Sequence, residues 1–164
     1  MALGGSDLVV TFVDDVLNRQ DLGVIQEIFS PDFCDFDPLI VPGVIEPAQP
    51  RRGSIEDIQK FVGVLAQPGV DIRFALEEIF EGGPDRIAYR LFGEGLLSVD
   101  QAVQHQELGP VRRLGVGGTD VWFRTREGGG TVVADSIHVS YQCVGIFRAR
   151  EGRLQMRWGR ARIE

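Results

Sequence analysis

Residues 33–38 read Phe33-Cys34-Asp35-Phe36-Asp37-Pro38. Two carboxylates stand two residues apart inside an apolar run. On a strand, residues two apart share a face. Pro38 pushes Asp37 toward an extended backbone, so the stretch is read as a short strand ending at the proline. An apolar strand turns one face to a core, where an unpaired carboxylate is costly. Either Asp35 and Asp37 both face water, or one sits in a cavity with a raised pKa and works as a base.

The chain around this stretch has 164 residues, enough for one domain with a core of its own. We read 1–164 as a single domain. A hydrophobic fraction of 43% and a charged fraction of 25% are ordinary globular values, so disorder is expected only at ends and loops. The net charge of −7 argues against a nucleic-acid partner, whose binding rests on phosphate neutralisation. Arg148 to Arg162 is the one basic region. Its arginines alternate with apolar residues at strand spacing and are read as the solvated side of strands. Cys34 and Cys143 lie far apart in apolar surroundings, as buried free thiols do. Two histidines without ligand spacing give no metal site, and no cofactor is expected. Met1–Ser6 lacks the pattern of a signal peptide. No apolar run approaches the length of about 18 residues that a membrane span needs. The expectation is a soluble, cytoplasmic protein.

Leu8, Val9, Phe12, Val13, Val16 and Leu17 fall at helical spacing, with Ser6 as N-cap and Asp14 and Asp15 on the wet face. Asn18-Arg19-Gln20-Asp21 is a turn. Asp21 caps a second short helix that turns Leu22, Ile25, Ile28 and Phe29 inward, and Pro31 follows its end. After the Phe33–Pro38 strand, a loop with Pro42, Pro47 and Pro50 runs to Arg52, long enough for a lid or rim. Ser54-Ile55-Glu56-Asp57 resembles a capping box opening a third helix with Ile55, Ile58, Phe61, Val62 and Leu65. The period then changes to two. Strands are read over Val70–Phe80, Arg86–Leu97, Thr119–Arg126, Thr131–Arg150 and Arg153–Ile163, with turns at Gly82-Gly83-Pro84, 127–130 and Glu151-Gly152. Ser98–Gly118 reads as an inserted loop. Helices followed by an antiparallel meander make an α+β fold.

In this order the residues resemble the nuclear-transport-factor-2-like (NTF2-like) superfamily, and within it the SnoaL-like polyketide cyclases and ketosteroid isomerases. Four features carry the likeness: Phe12 with Leu17-Asn18-Arg19-Gln20-Asp21-Leu22; Phe33 with Asp37-Pro38; Arg52-Gly53 followed by Ile55, Ile58 and Phe61; and Ile146 to Leu154 with Trp158. The resemblance implies a cone-shaped, curved antiparallel or mixed sheet with three helices around an apolar cavity. It implies a small apolar substrate, and a homodimer through the outer sheet face. It carries the general-base role of the isomerases onto Asp37.

The departures also matter. The isomerases' helix-one Tyr falls near Val13 here, and their second acid falls near Gly145. The cyclases' Asp after the last-strand Trp is replaced by Gly159, Arg160 and Ala161. Polyether epoxide hydrolase/cyclases, which pair one Asp with another carboxyl across the cavity, fit the chain better. The expected function is therefore cofactor-independent acid/base chemistry on a small apolar polyketide-type intermediate, by cyclisation or epoxide opening. Isomerisation, dehydration and non-catalytic binding are the alternatives. Asp37 is the expected base and Glu94 the first choice of partner. Tyr141, Trp158, Phe12, Phe92, Phe61 and Asp135 are candidate substrate-binding residues. Tyr141 and Asp135 share a strand face by parity, while His138 reads as outward and His105 as solvated.

Overall fold

The computed structural model describes residues 4–36, 53–98 and 136–163. Asp37, the proline-rich loop, His105, the 119–126 strand, the 127–130 turn and Asp135 lie outside the described residues.

Helix α1 spans Gly5–Thr11. Its N-cap is Gly4 rather than Ser6, and the Asp7 carboxylate accepts the Gly4 N–H at 3.1 Å. Ser6 sits in the first turn instead, and its hydroxyl donates to Glu81 at 2.6 Å. Past Thr11 the helix widens into a π-helical segment, Phe12–Asn18. The expected apolar stripe of both segments is buried.

The turn that follows is fixed at both ends. Asn18 mimics a strand residue: its amide donates to the Phe74 carbonyl and its side-chain oxygen accepts the Phe74 N–H, each at 2.8 Å. Asp21 accepts the Gly23 N–H at 2.9 Å and caps α2, Leu22–Ile28. Ile25 and Ile28 are buried as expected, but Leu22 is 47% exposed. It stands at the helix's first position, outside the buried stripe.

Strand β1 is Phe29–Asp35, starting four residues earlier than read. Pro31 is tolerated inside it because β1 is an edge strand, where a missing donor is no loss. Helix α3, Ile55–Leu65, buries all five expected apolar residues, and Asp57 accepts the Ser54 N–H at 2.9 Å. Strands β2 (Val70–Glu81), β3 (Arg86–Ser98), β4 (Ser136–Arg150) and β5 (Arg153–Ile163) follow. The sheet order is β1-β5-β4-β3-β2; β1 runs parallel to β5 and the other pairs are antiparallel.

The core lies between the helices and the inner sheet face, where Ile87, Tyr89, Leu91, Cys143, Phe147 and Leu154 are buried. In the antiparallel pairs of the described strands, two bulges break the alternation. At one, Leu76 pairs with Leu91 but Glu78 with Arg90, leaving Glu77 extra. At the other, Ala149 pairs with Leu154 but Arg148 with Met156, leaving Gln155 extra. Among the described residues no helix is long and apolar enough to cross a membrane.

Candidate active site

Strand β1 delivers Asp35 to the inner face beside β5, in parallel register with Arg157. The Phe36 N–H donates to the Arg157 carbonyl at 3.0 Å. Asp35 and Gly53 exchange backbone hydrogen bonds of 2.9 and 2.7 Å, so the entry to α3 clamps the strand's end. Arg157 Nε donates to Asp35 Oδ1 at 3.2 Å. Asp35 is 2% exposed and Arg157 1%. Burial of either charge alone would be prohibitive, so each accounts for the other.

Arg157 is a buried exception to the reading of the basic region as a solvated face, which Arg150 and Arg153 keep. The alternation Leu154, Met156, Trp158 is regular, and it points the arginine outward. The bulge at Gln155 reverses the parity after Leu154. Arg157 therefore turns in, and Trp158 turns out to 39% exposure, stacked on Phe36 with ring centroids 5.5 Å apart. Trp158 is thus outer surface, not pocket wall.

The ion pair borders a cavity of about 10 Å³, lined otherwise by Phe12, Leu17, Phe33, Ile58, Phe61 and Phe147. That is room for about one water molecule. Phe12 and Phe61 are part of that lining. Phe92 and Glu94 are not, because Ile87, Tyr89, Leu91 and Gly93 take the inner face of β3. Glu94 is exposed on the outer face, 2.9 Å from His138 Nε2. Its expected partnership across the cavity is corrected: strand parity turns it outward. His138 is outward as read, and the Glu77 carboxylate accepts from Arg90 Nε at 2.7 Å. The candidates Asp37 and Asp135 lie outside the described residues. Cys34 and Cys143 are free thiols, the second buried and the first partly so.

Tyr89, which the sequence reading passed over, fills the space beside Gly145. Its ring stacks on Phe147 at 5.1 Å, and its hydroxyl lies 3.9 Å from Cys143 Sγ. A Cβ at Gly145 would sit 2.5 Å from that hydroxyl. Gly159, the register partner of Gly145, makes similar room: a Cβ there would lie 3.1 Å from Arg157 Nη2. A tyrosine and an arginine from other positions thus lean over these two glycines. Burial pushes the Tyr89 hydroxyl's pKa well above the usual tyrosine range, against the opposing pull of the Arg157 charge. Tyr141 is also buried on the inner face, and burial raises its pKa to about 12. Both hydroxyls stay protonated at neutral pH and can act as donors.

Chemically the site combines a fixed cation, a carboxylate and an apolar wall. Among the described residues no group of three or more His, Cys, Asp or Glu is placed to hold a metal. The signal that could have found Arg157 was electrostatic. A carboxylate turned into an apolar strand face needs a cation, and the last strand is rich in arginine.

No protein-family model matches the chain, and no curated protein does. Solved structures do. AclR, a proposed hydroxylase from Streptomyces galilaeus, is 16% identical over 96% of this chain and 87% of its own, with a TM-score of 0.57. IdmH, a proposed polyketide cyclase from Streptomyces antibioticus, is 17% identical over 95% and 90%, also at 0.57. An NTF2-like protein of unknown function from Mesorhizobium loti is 18% identical over 96% and 89%, at 0.53. The chain has the α+β NTF2-like fold, the fold shared by SnoaL-like polyketide cyclases.

Proposed function

We propose that the protein is a cofactor-independent acid/base enzyme acting on a small, largely apolar polyketide-type intermediate, by cyclisation or epoxide opening. One observation carries the reading: an ion pair, Asp35–Arg157, almost fully buried against an apolar cavity. In such surroundings a fixed charge acts strongly on charge that develops during reaction. The likeness to IdmH, a proposed polyketide cyclase, supports the substrate class.

In this reading Asp37, two residues past Asp35, is the general base. It removes a proton from a hydroxyl, a water or a carbon beside a carbonyl. Arg157 supplies positive charge near the oxygen that becomes negative, and Asp35 holds the guanidinium in place. Isomerisation or dehydration would use the same base. The working form is a homodimer through the outer sheet face, where Val144, Ile146 and Trp158 are exposed neighbours. Two free thiols suit a cytoplasmic setting.

The test offers purified protein, without added metal or cofactor, two probes: a β-keto ester bearing a tethered aldehyde, and an alkyl epoxide. Products are followed by chiral chromatography and mass spectrometry. Turnover of one probe is expected. Asp37→Asn should lower kcat about 10²- to 10⁴-fold with circular dichroism unchanged. Asp35→Asn should instead lower stability by about 3–5 kcal/mol, because it removes the charge beside a buried guanidinium. Wild-type rates from Asp37→Asn would remove Asp37 as base. Glu94's outward position favours a second reading, a non-catalytic binding module. Binding of both probes without turnover would establish that one.

A further inference from the structure

We propose that the protein has a second binding site, a groove at the end of the sheet. It takes a carboxylate carried on an apolar body, with Arg150 as the anchor. The groove lies where the β2–β3 and β4–β5 turns meet the start of α1, and its volume is about 390 Å³. Small-molecule pockets commonly measure about 300–1,000 Å³. The groove shares no lining residue with the cavity beside Asp35 and Arg157. Leu8, Pro84 and Ala149 give it apolar walls, and Asp85, Arg150 and Glu151 give it charge. The Ala149 N–H donates to the Asp85 carbonyl at 2.8 Å, which ties the two turns together.

The three charges are not equivalent. Arg148 Nε donates to Asp85 Oδ2 at 2.9 Å. That bond, with the charges of Arg148, Arg150 and Arg86, holds the Asp85 carboxyl below the usual carboxylate range. Asp85 is therefore ionised and already bonded. Arg150 Nε stands 3.7 Å from the same oxygen, beyond hydrogen-bond reach. Its side chain is 54% exposed, so a ligand arriving from solvent meets its donors.

These features select the ligand. A planar guanidinium matches the two oxygens of a carboxylate. Glu151 opposes any anion and opposes a dianion more, which favours a single negative charge. The apolar walls favour a hydrocarbon body behind that charge.

Three probes test this on the full chain by fluorine NMR titration: 4-(trifluoromethyl)benzoate, 4-(trifluoromethyl)benzyl alcohol and trifluoroacetate. The benzoate should bind about three- to fivefold more tightly than the alcohol, the size of a solvent-exposed ion pair. Trifluoroacetate has the charge without the ring and should bind about tenfold more weakly than the benzoate. Arg150→Gln should bind benzoate and alcohol equally. Glu151→Gln should tighten the benzoate and leave the alcohol unchanged. Arg153→Gln removes an exposed arginine of the same hairpin that does not line the groove, and should keep the preference. Equal binding of benzoate and alcohol by wild type, or a preference that Arg150→Gln keeps, overturns the proposal. A preference lost equally in Arg153→Gln would show diffuse charge and overturn it as well. So would a benzoate affinity unchanged by Glu151→Gln, trifluoroacetate binding as tight as the benzoate's, or no binding of the benzoate. Each of these outcomes leaves the reading of the Asp35–Arg157 site standing.

Discussion

Tyr89 and Tyr141 are the chain's two tyrosines, and both are buried with raised pKa values. An unfolded tyrosine loses its proton near pH 10, whereas Tyr141 in the fold does so at about 12. Between those values the unfolded chain binds fewer protons, so stability falls as pH rises. Below pH 10 the contribution is fully present. The native protein should therefore show almost no phenolate absorbance at about pH 10, and the signal should appear together with unfolding. Tyr141→Phe should flatten the alkaline loss of stability. Ordinary titration near pH 10 by either tyrosine would mean that its ring is not enclosed. Arg157 shows the limit of reading at this scale: its neighbours alternate correctly, yet one extra residue, Gln155, turns it inward.

Elements respond to single atoms where strands carry glycine against packed rings. Gly145 on β4 faces Tyr89, and an added Cβ would press on the tyrosine at 2.5–2.6 Å. Gly145→Ala should cost about 1–3 kcal/mol by overpacking. Gly63 lies within α3 with open space around its Cβ position. Gly63→Ala should stabilise by about 0.5–1 kcal/mol, because alanine restores helix propensity. Urea denaturation of the two variants checks both signs. A neutral Gly145→Ala would mean that the Tyr89 ring can move aside. The helices also show how far pattern reaches. Helix α3 came out as read because its cap, stripe and stop all agree. The Phe12–Asn18 segment was readable as helix but not as π-helix, since widening the turns leaves the apolar stripe intact.

For the whole molecule, the two sheet faces divide the labour. The inner face and the helices enclose the ion pair. The outer face exposes Leu96, Val144, Ile146 and Trp158, with Ile146 and Trp158 directly opposed across β4 and β5. Under the homodimer proposal this patch is where two copies meet. Light scattering coupled to gel filtration should give a dimer mass for wild type and a monomer mass for Ile146→Glu, which places a charge in the apolar contact. A monomeric wild type would end the proposal.

The sequence by itself determined the order of the described elements, the N-caps at Asp21 and Ser54, the inward residues of α3, and through them the α+β class. These follow from local periodicity and local hydrogen bonding, which a chain carries wherever it goes. Only the tertiary structure decided which polar residues meet. The Asp35–Arg157 pair joins strands 122 residues apart in sequence, and it depends on a bulge that the alternation does not announce. Trp158 turns to the outer face through the same bulge, whereas Glu94 is outward by the unbroken parity of β3. Which face a side chain takes is set by strand pairing across the sheet, and pairing is a property of the folded whole.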